Sequence, residues 1–331
     1  MQTGKRMRRG VAGALVAVAS VSAAGCGVSS PPVDAEEAFS RPINLVVPFG
    51  AGGGADSVAR AVGAEMASQV DTDMPVINVP GATGSSGMAN MLAGTPGQSV
   101  AVIIQDTLAT VPAGSASFAL DEIRAVCRMQ SMPSALFVRK GDYADWEDLA
   151  AASKEADDEL LVATVGTNSV DDIVLAALDD VQGTPFRAVP YSEPGERYTA
   201  LLGGEVDALY EQLGDVTSFL DSGDFIPVVI FADEPVEGFE DVPLAKDLDL
   251  PDEVVLPQFR GLVTNADATD SVVEEMSSAC GEAIETDEVK AFQDLVFADP
   301  ESYQDAEEFQ TFLENQNDLI ATQLEQYGLV Q

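Results

Sequence analysis

Three short apolar runs, each ending in a loop of small residues, constrain this chain more than any other feature. Ile43 to Val47 leads through Pro48 and Phe49 into Gly50-Ala51-Gly52-Gly53-Gly54. Pro75 to Val79 leads into PGATGSSG, and Val100 to Ile104 into QDT. Short β-branched runs bounded by Gly, Pro and Thr predict buried parallel strands. Between the first two, Val58, Val62 and Met66 recur at i, i+4, i+8, the stripe of a helix facing a core. Asp56 or Ser57 is placed to cap its start. The pattern is βαβ, and the fold class is α/β with doubly wound sheets.

The middle of the chain repeats the pattern. Leu160 to Val165 is a strand, followed by GTNS and a helix with Val170, Ile173, Val174 and Ala177 on one face. Phe186 to Val189, Val206 to Tyr210 and Phe225 to Phe231 are further strands, with a helix near Tyr198 to Leu202. Proline-bounded joints fall near 133 and 257. Arg260 to Thr264 is strand-like, and the remainder is helical. The expected division is one domain of 41–132 plus 260–331 and a second of 133–259. The chain then crosses twice, making a hinge over a cleft where a small ligand binds.

Residues 1–25 resemble an export signal. Lys5, Arg6, Arg8 and Arg9 precede an apolar run from Val11 to Val21, too short for a comfortable membrane span. Ala23-Ala24-Gly25-Cys26 resembles a lipoprotein box, with Ala23 in place of the usual Leu; lipidation of Cys26 and an incidental cysteine are the alternatives. Residues 26–40 are polar with two prolines and form a tether. The signal holds four of the 16 basic residues and no acidic ones, leaving 12 against 56 and a formal net charge of −44 beyond it. Such a surface repels nucleic acid and suits high salt, where screening makes self-repulsion tolerable. The chain has no histidine, which excludes Ser-His-Asp and Cys-His catalysis and His-ligated metal sites. Nothing in the sequence implies a metal or cofactor. Cys127 and Cys280 either pair or stand as two buried thiols.

In open α/β sheets ligands sit beyond the carboxyl ends of the strands, where all these loops belong. Glycine permits close backbone approach, and the first N–H groups of a helix lack internal partners. An anion is thereby held without lysine or arginine, by backbone donors and by hydroxyls such as Thr83, Ser85, Ser86, Thr107, Thr167 and Ser169. Gly50 to Ala55 also matches G-x-G-x-x-A. The second run, however, ends in Asn78-Val79-Pro80 and another glycine loop rather than an acidic residue for a ribose. No Gly-Lys-Ser/Thr follows, which excludes a Walker loop.

The ordered stretches RPINLVVPFGAGGGADSVAR, VINVPGATGSSGMA, VPYSEPGERYTALLGGEVDALYE and DVPLAKDLDLP resemble the Bug, or TctC-like, family from about residue 41 onward. These are extracytoplasmic receptors of tripartite tricarboxylate transporters. The resemblance implies a type II periplasmic-binding-protein fold, a Venus flytrap that closes on an organic acid and presents it to a permease of one large and one small subunit. By motif match, ligand contacts fall on Phe49, Gly52, Gly53, Asp56, Gly81, Thr83, Gly84 and Ser85, with Thr107 after the third strand. In the second domain Thr164, Gly166, Thr167 and Ser169 keep the polar loop. A usual histidine is replaced by Asp172 or its neighbour Asp171, and FDN becomes Tyr210-Glu211-Gln212. If Asp172 or Glu211 lines the cleft, the ligand is a monocarboxylate or carries a donor at its far end; otherwise both acids face solvent. Asp56 either caps its helix or touches ligand.

The expected function is capture of a small organic carboxylate without chemistry by a monomeric, membrane-anchored, exported receptor. A sensory receptor of the same fold and a secreted hydrolase are the alternatives; no two acids stand out as a catalytic pair.

Overall fold

The computed structural model describes Met1, residues 33–256 and residues 258–330; Cys26 and the signal lie outside them. Ten strands form two five-stranded sheets. The first contains β1 (Asn44–Val47), β2 (Val76–Asn78), β3 (Ser99–Ile104), β4 (Ile123–Met132) and β10 (Gln258–Asn265), in the order β2-β1-β3-β10-β4. The second contains β5 (Ser134–Arg139), β6 (Leu160–Thr164), β7 (Phe186–Pro190), β8 (Ala208–Gln212) and β9 (Phe225–Phe231), in the order β7-β6-β8-β5-β9. In each sheet three strands run parallel, and the fourth in order is antiparallel to both its neighbours. That fourth strand, β10 or β5, has just arrived from the other lobe.

The parallel strands are apolar along their length because helices cover both faces. In β3, five of six residues are buried. The helix Gly54–Gln69 turns Val58, Val62 and Met66 inward, each fully buried. Its N-cap is Gly53, not Asp56 or Ser57: the extended backbone ends three residues earlier, and Asp56 already lies within the first turn.

Other expectations also shift. Residues 123–139, read only as a proline joint, form the long strands β4 and β5 on either side of Pro133. QDT is not an open loop but the start of a short helix, Gln105–Ala109, with Gln105, Asp106 and Thr107 buried. The strand expected at Val206 to Tyr210 runs instead from Ala208 to Gln212, which carries Glu211 into the sheet.

A disulfide joins Cys127 of β4 to Cys280 of the helix Asp270–Ile284, closing a loop of 153 residues that contains the whole second sheet. One apolar cluster runs from Val46, Met88 and Ile103 of the first lobe to Leu136, Val162 and Ile173 of the second. The lobes are therefore packed together. The helix Ala306–Gln326, capped by Asp305, lies over β4 and β10; Gly261 leaves room for the Phe309 ring against the sheet. Among the described residues no helix is long and apolar enough to cross a membrane.

Candidate functional site

The glycine loops of the first lobe are held from behind. Gly52 has a φ of +84°, open to glycine and strained for other residues. Asp56 accepts hydrogen bonds from Gly52 N at 3.0 Å, Asn78 Nδ2 at 3.0 Å, Arg60 Nε at 3.0 Å and Arg60 Nη2 at 2.8 Å. Burial pushes its carboxyl up, but these bonds from Arg60, Gly52 and Asn78 outweigh burial and hold it below its usual range. Its oxygens thus tie the loop to β2 and the helix. Asn78 Nδ2 also reaches Phe49 O at 3.1 Å, fixing the residue whose ring lies beside Gly84.

The second loop is strained. Gly81, Ala82, Thr83 and Gly84 all have positive φ, at 127°, 51°, 51° and 92°. A left-handed conformation is unusual for alanine and costly for β-branched threonine, on the order of 1–3 kcal/mol per residue. The surroundings enforce it. A side chain at Gly84 would strike Thr107 Oγ1 and the Phe49 ring, and one at Gly166 would strike the Thr83 side chain. Thr83, Gly84, Thr107 and Gly166 therefore converge from three segments and both lobes. Thr107 Oγ1 is buried with no hydrogen-bond partner. Ser85 differs: its hydroxyl lies 3.3 Å from Thr110 Oγ1, inside the first lobe.

Other contacts close the cleft rim. Gly53 lies against Pro194, where a Cβ would come within 2.6 Å of the proline ring, and Gly50 lies against the Glu193 carboxylate. In the second lobe Thr164 Oγ1 donates to Gly166 O at 3.3 Å, shaping the loop. Thr167 is exposed, and Asn168 has a φ of +53°. Ser169 N-caps the helix Val170–Gln182, but its hydroxyl is buried and unpartnered. Asp172, half-buried, accepts from Ser169 N at 3.3 Å; burial pushes its carboxyl up.

Between the lobes lies a buried charged layer that sequence reading largely missed. Glu211 is 1% exposed, so the solvent-facing alternative is wrong for it. Its Oε2 accepts from Arg197 Nη2 at 2.6 Å, Arg197 Nε at 3.2 Å and Tyr198 OH at 3.2 Å. Arg260 of β10 pairs with Asp215 and donates to Gln212 Oε1 at 3.1 Å and Gln130 Oε1 at 3.3 Å, joining the sheets. Asp106 accepts from Val170 N and Gln258 Nε2, each at 3.2 Å. Burial raises its carboxyl to about 6 against those two donors. Asp171, not Asp172, is the deeply buried acid: burial and then Asp106 push it well up, and one of its oxygens has no donor. One signal for this layer was present in the sequence. Arg197 and Arg260 are scarce cations in an acidic chain, and Asp106 ends an apolar run.

Over residues 58–329 the sequence matches the profile described as the tripartite tricarboxylate transporter family receptor. A UPF0065 protein of Agrobacterium vitis is 27% identical over 249 residues, covering 74% of this chain and 72% of its own. Protein BugT of Bordetella pertussis is 25% identical over 252 residues, covering 74% and 77%. Among solved structures, MatC of Rhodopseudomonas palustris with bound malate superposes with a TM-score of 0.79 at 25% identity, covering 86% of this chain and 99% of MatC.

Proposed function

Since the chain belongs to the tripartite tricarboxylate transporter family of receptors, we propose that it captures a small organic carboxylate between its lobes and hands it to a membrane permease. Convergence of Thr83, Gly84, Thr107 and Gly166 across the cleft carries this reading. A carboxylate there meets hydroxyls and glycine-bared backbone, and so acidic a chain needs no free lysine to hold it. The malate in MatC supports the ligand class.

The mechanism is closure alone. Residues 41–132 with 260–331 form one lobe and 133–259 the other, turning about Pro133 and the segment before β10. Ligand bridges the two loop sets, and the closed form is what the permease recognises. A lipid on Cys26 would hold the receptor on the extracytoplasmic face of the membrane through a tether shorter than the 26–40 expected, because Val33 and Ala38 are buried against the first lobe. Of the motif residues, Asp56 and Ser85 serve as supports for the loops, since their side chains are engaged within the first lobe.

Thermal unfolding of the mature chain, at high and low salt, against acetate, benzoate, aspartate, succinate and citrate tests the proposal. Ligand at 100 times its Kd adds about 2.7 kcal/mol, or a few degrees in Tm at this size. The expected result is a shift with one class of acid that is lost in Thr83→Ala and Thr107→Ala. Folded protein that no carboxylate shifts would overturn it.

A further inference from the structure

The second lobe's own anion position is filled from the first. The helix Val170–Gln182 starts at the cleft, and the unpaired N–H groups of a helix start attract a carboxylate. Its first N–H, on Val170, goes to Asp106 Oδ1 at 3.2 Å. Asp106 belongs to the other lobe, in the short helix after β3, and is 1% exposed. Gln258 holds its second oxygen. The chain thus supplies an internal carboxylate where the far carboxylate of a diacid would lie.

We propose that Asp106 is a specificity-determining residue: it takes the place of a second ligand carboxylate, so the cleft closes on a monocarboxylate whose far end is neutral or a hydrogen-bond donor. The inference rests on the carboxylate-receptor reading above.

The surroundings agree. A second ligand carboxylate would meet the charge of Asp106 at the helix start, with Asp172 and Glu211 close by. Neither nearby cation is free to offset it, because Arg197 is committed to Glu211 and Arg260 to Asp215. Like charges brought together out of water are strongly unfavourable, by on the order of 100-fold or more in affinity. A donor, in contrast, finds acceptors waiting: Asp171 Oδ1, Ser169 Oγ and Thr107 Oγ1 are all buried without partners. Leaving such acceptors unmatched is also what rejects a wrong ligand.

Length-matched acids separate the possibilities. Affinities of the wild type for butyrate and hexanoate are compared by calorimetry at pH 7.5 with those for succinate and adipate. The same set is run on Asp106→Asn, on Asp106→Ser as a smaller neutral alternative, and with melting curves as a folding control. We expect the diacids to bind the wild type at least about 100-fold more weakly, and the gap to narrow by tenfold or more in either folded variant. Equal binding of diacids and monoacids by the wild type would overturn the assignment and leave the receptor reading standing. Equal loss of both classes in the variants would reduce Asp106 to a clasp between lobes and overturn it too. No binding of any acid, with Thr83→Ala indistinguishable from wild type, would bring down the receptor reading and this inference with it.

Discussion

The two faces of the cleft hold charge in opposite ways. The first lobe presents glycine loops whose one acid, Asp56, is satisfied from behind by Arg60, Asn78 and the Gly52 N–H. Its ligand-side surface is backbone and hydroxyl. The second lobe presents a layer of buried acids: Glu211 with its own Arg197, Asp215 with Arg260 reaching over from the first lobe, and Asp171 with an unmatched oxygen. One face keeps its single acid behind the loops, and the other is built around buried acids. On the proposed reading, anion capture rests on the first lobe's loops, and discrimination on Asp106 of that same lobe where it meets the helix start of the second.

The hardest blow to this contrast falls on the second lobe. Glu211→Ala strands Arg197, whose side chain is 5% exposed, and should cost about 3–5 kcal/mol in urea unfolding. Replacing both partners with apolar residues of similar volume should recover most of the loss. In the first lobe the comparable staple is covalent. Cys127→Ser with Cys280→Ser should cost about 2–5 kcal/mol, because the bridge closes a loop of 153 residues. A loss confined to ligand affinity, with no change in stability, would contradict either expectation.

Asp106 links the faces and makes the contrast sensitive to pH. Burial raises its carboxyl to about 6 in the folded protein, against an ordinary value of 3.8. Between those values the folded protein keeps a proton that the unfolded chain has released. Its contribution to stability therefore falls as pH rises from 3.8 to 6 and is level above, on the order of 3 kcal/mol in all. Asp56, held below its usual range, acts with the opposite sign and loses its contribution as pH falls. The difference in urea midpoint between wild type and Asp106→Asn should follow the first course; a difference independent of pH would refute it.

Two glycines give the finest comparison. Gly84→Ala combines a φ of +92° with crowding by Thr107 and Phe49, and should cost about 1–3 kcal/mol along with ligand affinity. Gly52→Ala has the same kind of backbone at +84° but open space around it, and should cost about 1 kcal/mol. Equal losses would mean that backbone strain, not close packing, sets the shape of the loops.

The first lobe's site was readable because its signals are local. A glycine loop after a β-branched run is a property of fifteen consecutive residues, and Val58, Val62 and Met66 announce their helix within one stretch. The strands β4 and β5 were missed because RAVCRMQSMPSALFVR mixes polar residues into both faces. Gln130, Ser131 and Ser134 are buried there only because the other lobe and the C-terminal helices cover them. The solvent-facing alternative for Glu211 failed for a related reason: its partner Arg197 lies 14 residues away, across a strand and a helix.

By itself the sequence determined the α/β class, the repeated strand and glycine-loop units, and the family. Each follows from periodicity, turn chemistry or an ordered set of motifs within short stretches of chain. Tertiary structure alone decided which acids are buried, which arginines neutralise them, that Cys127 meets Cys280, and that Asp106 reaches the helix of the opposite lobe. Those outcomes depend on which distant groups share a low-dielectric interior, and one chain of 56 acidic residues contains no local mark that tells the few buried ones from the many in water.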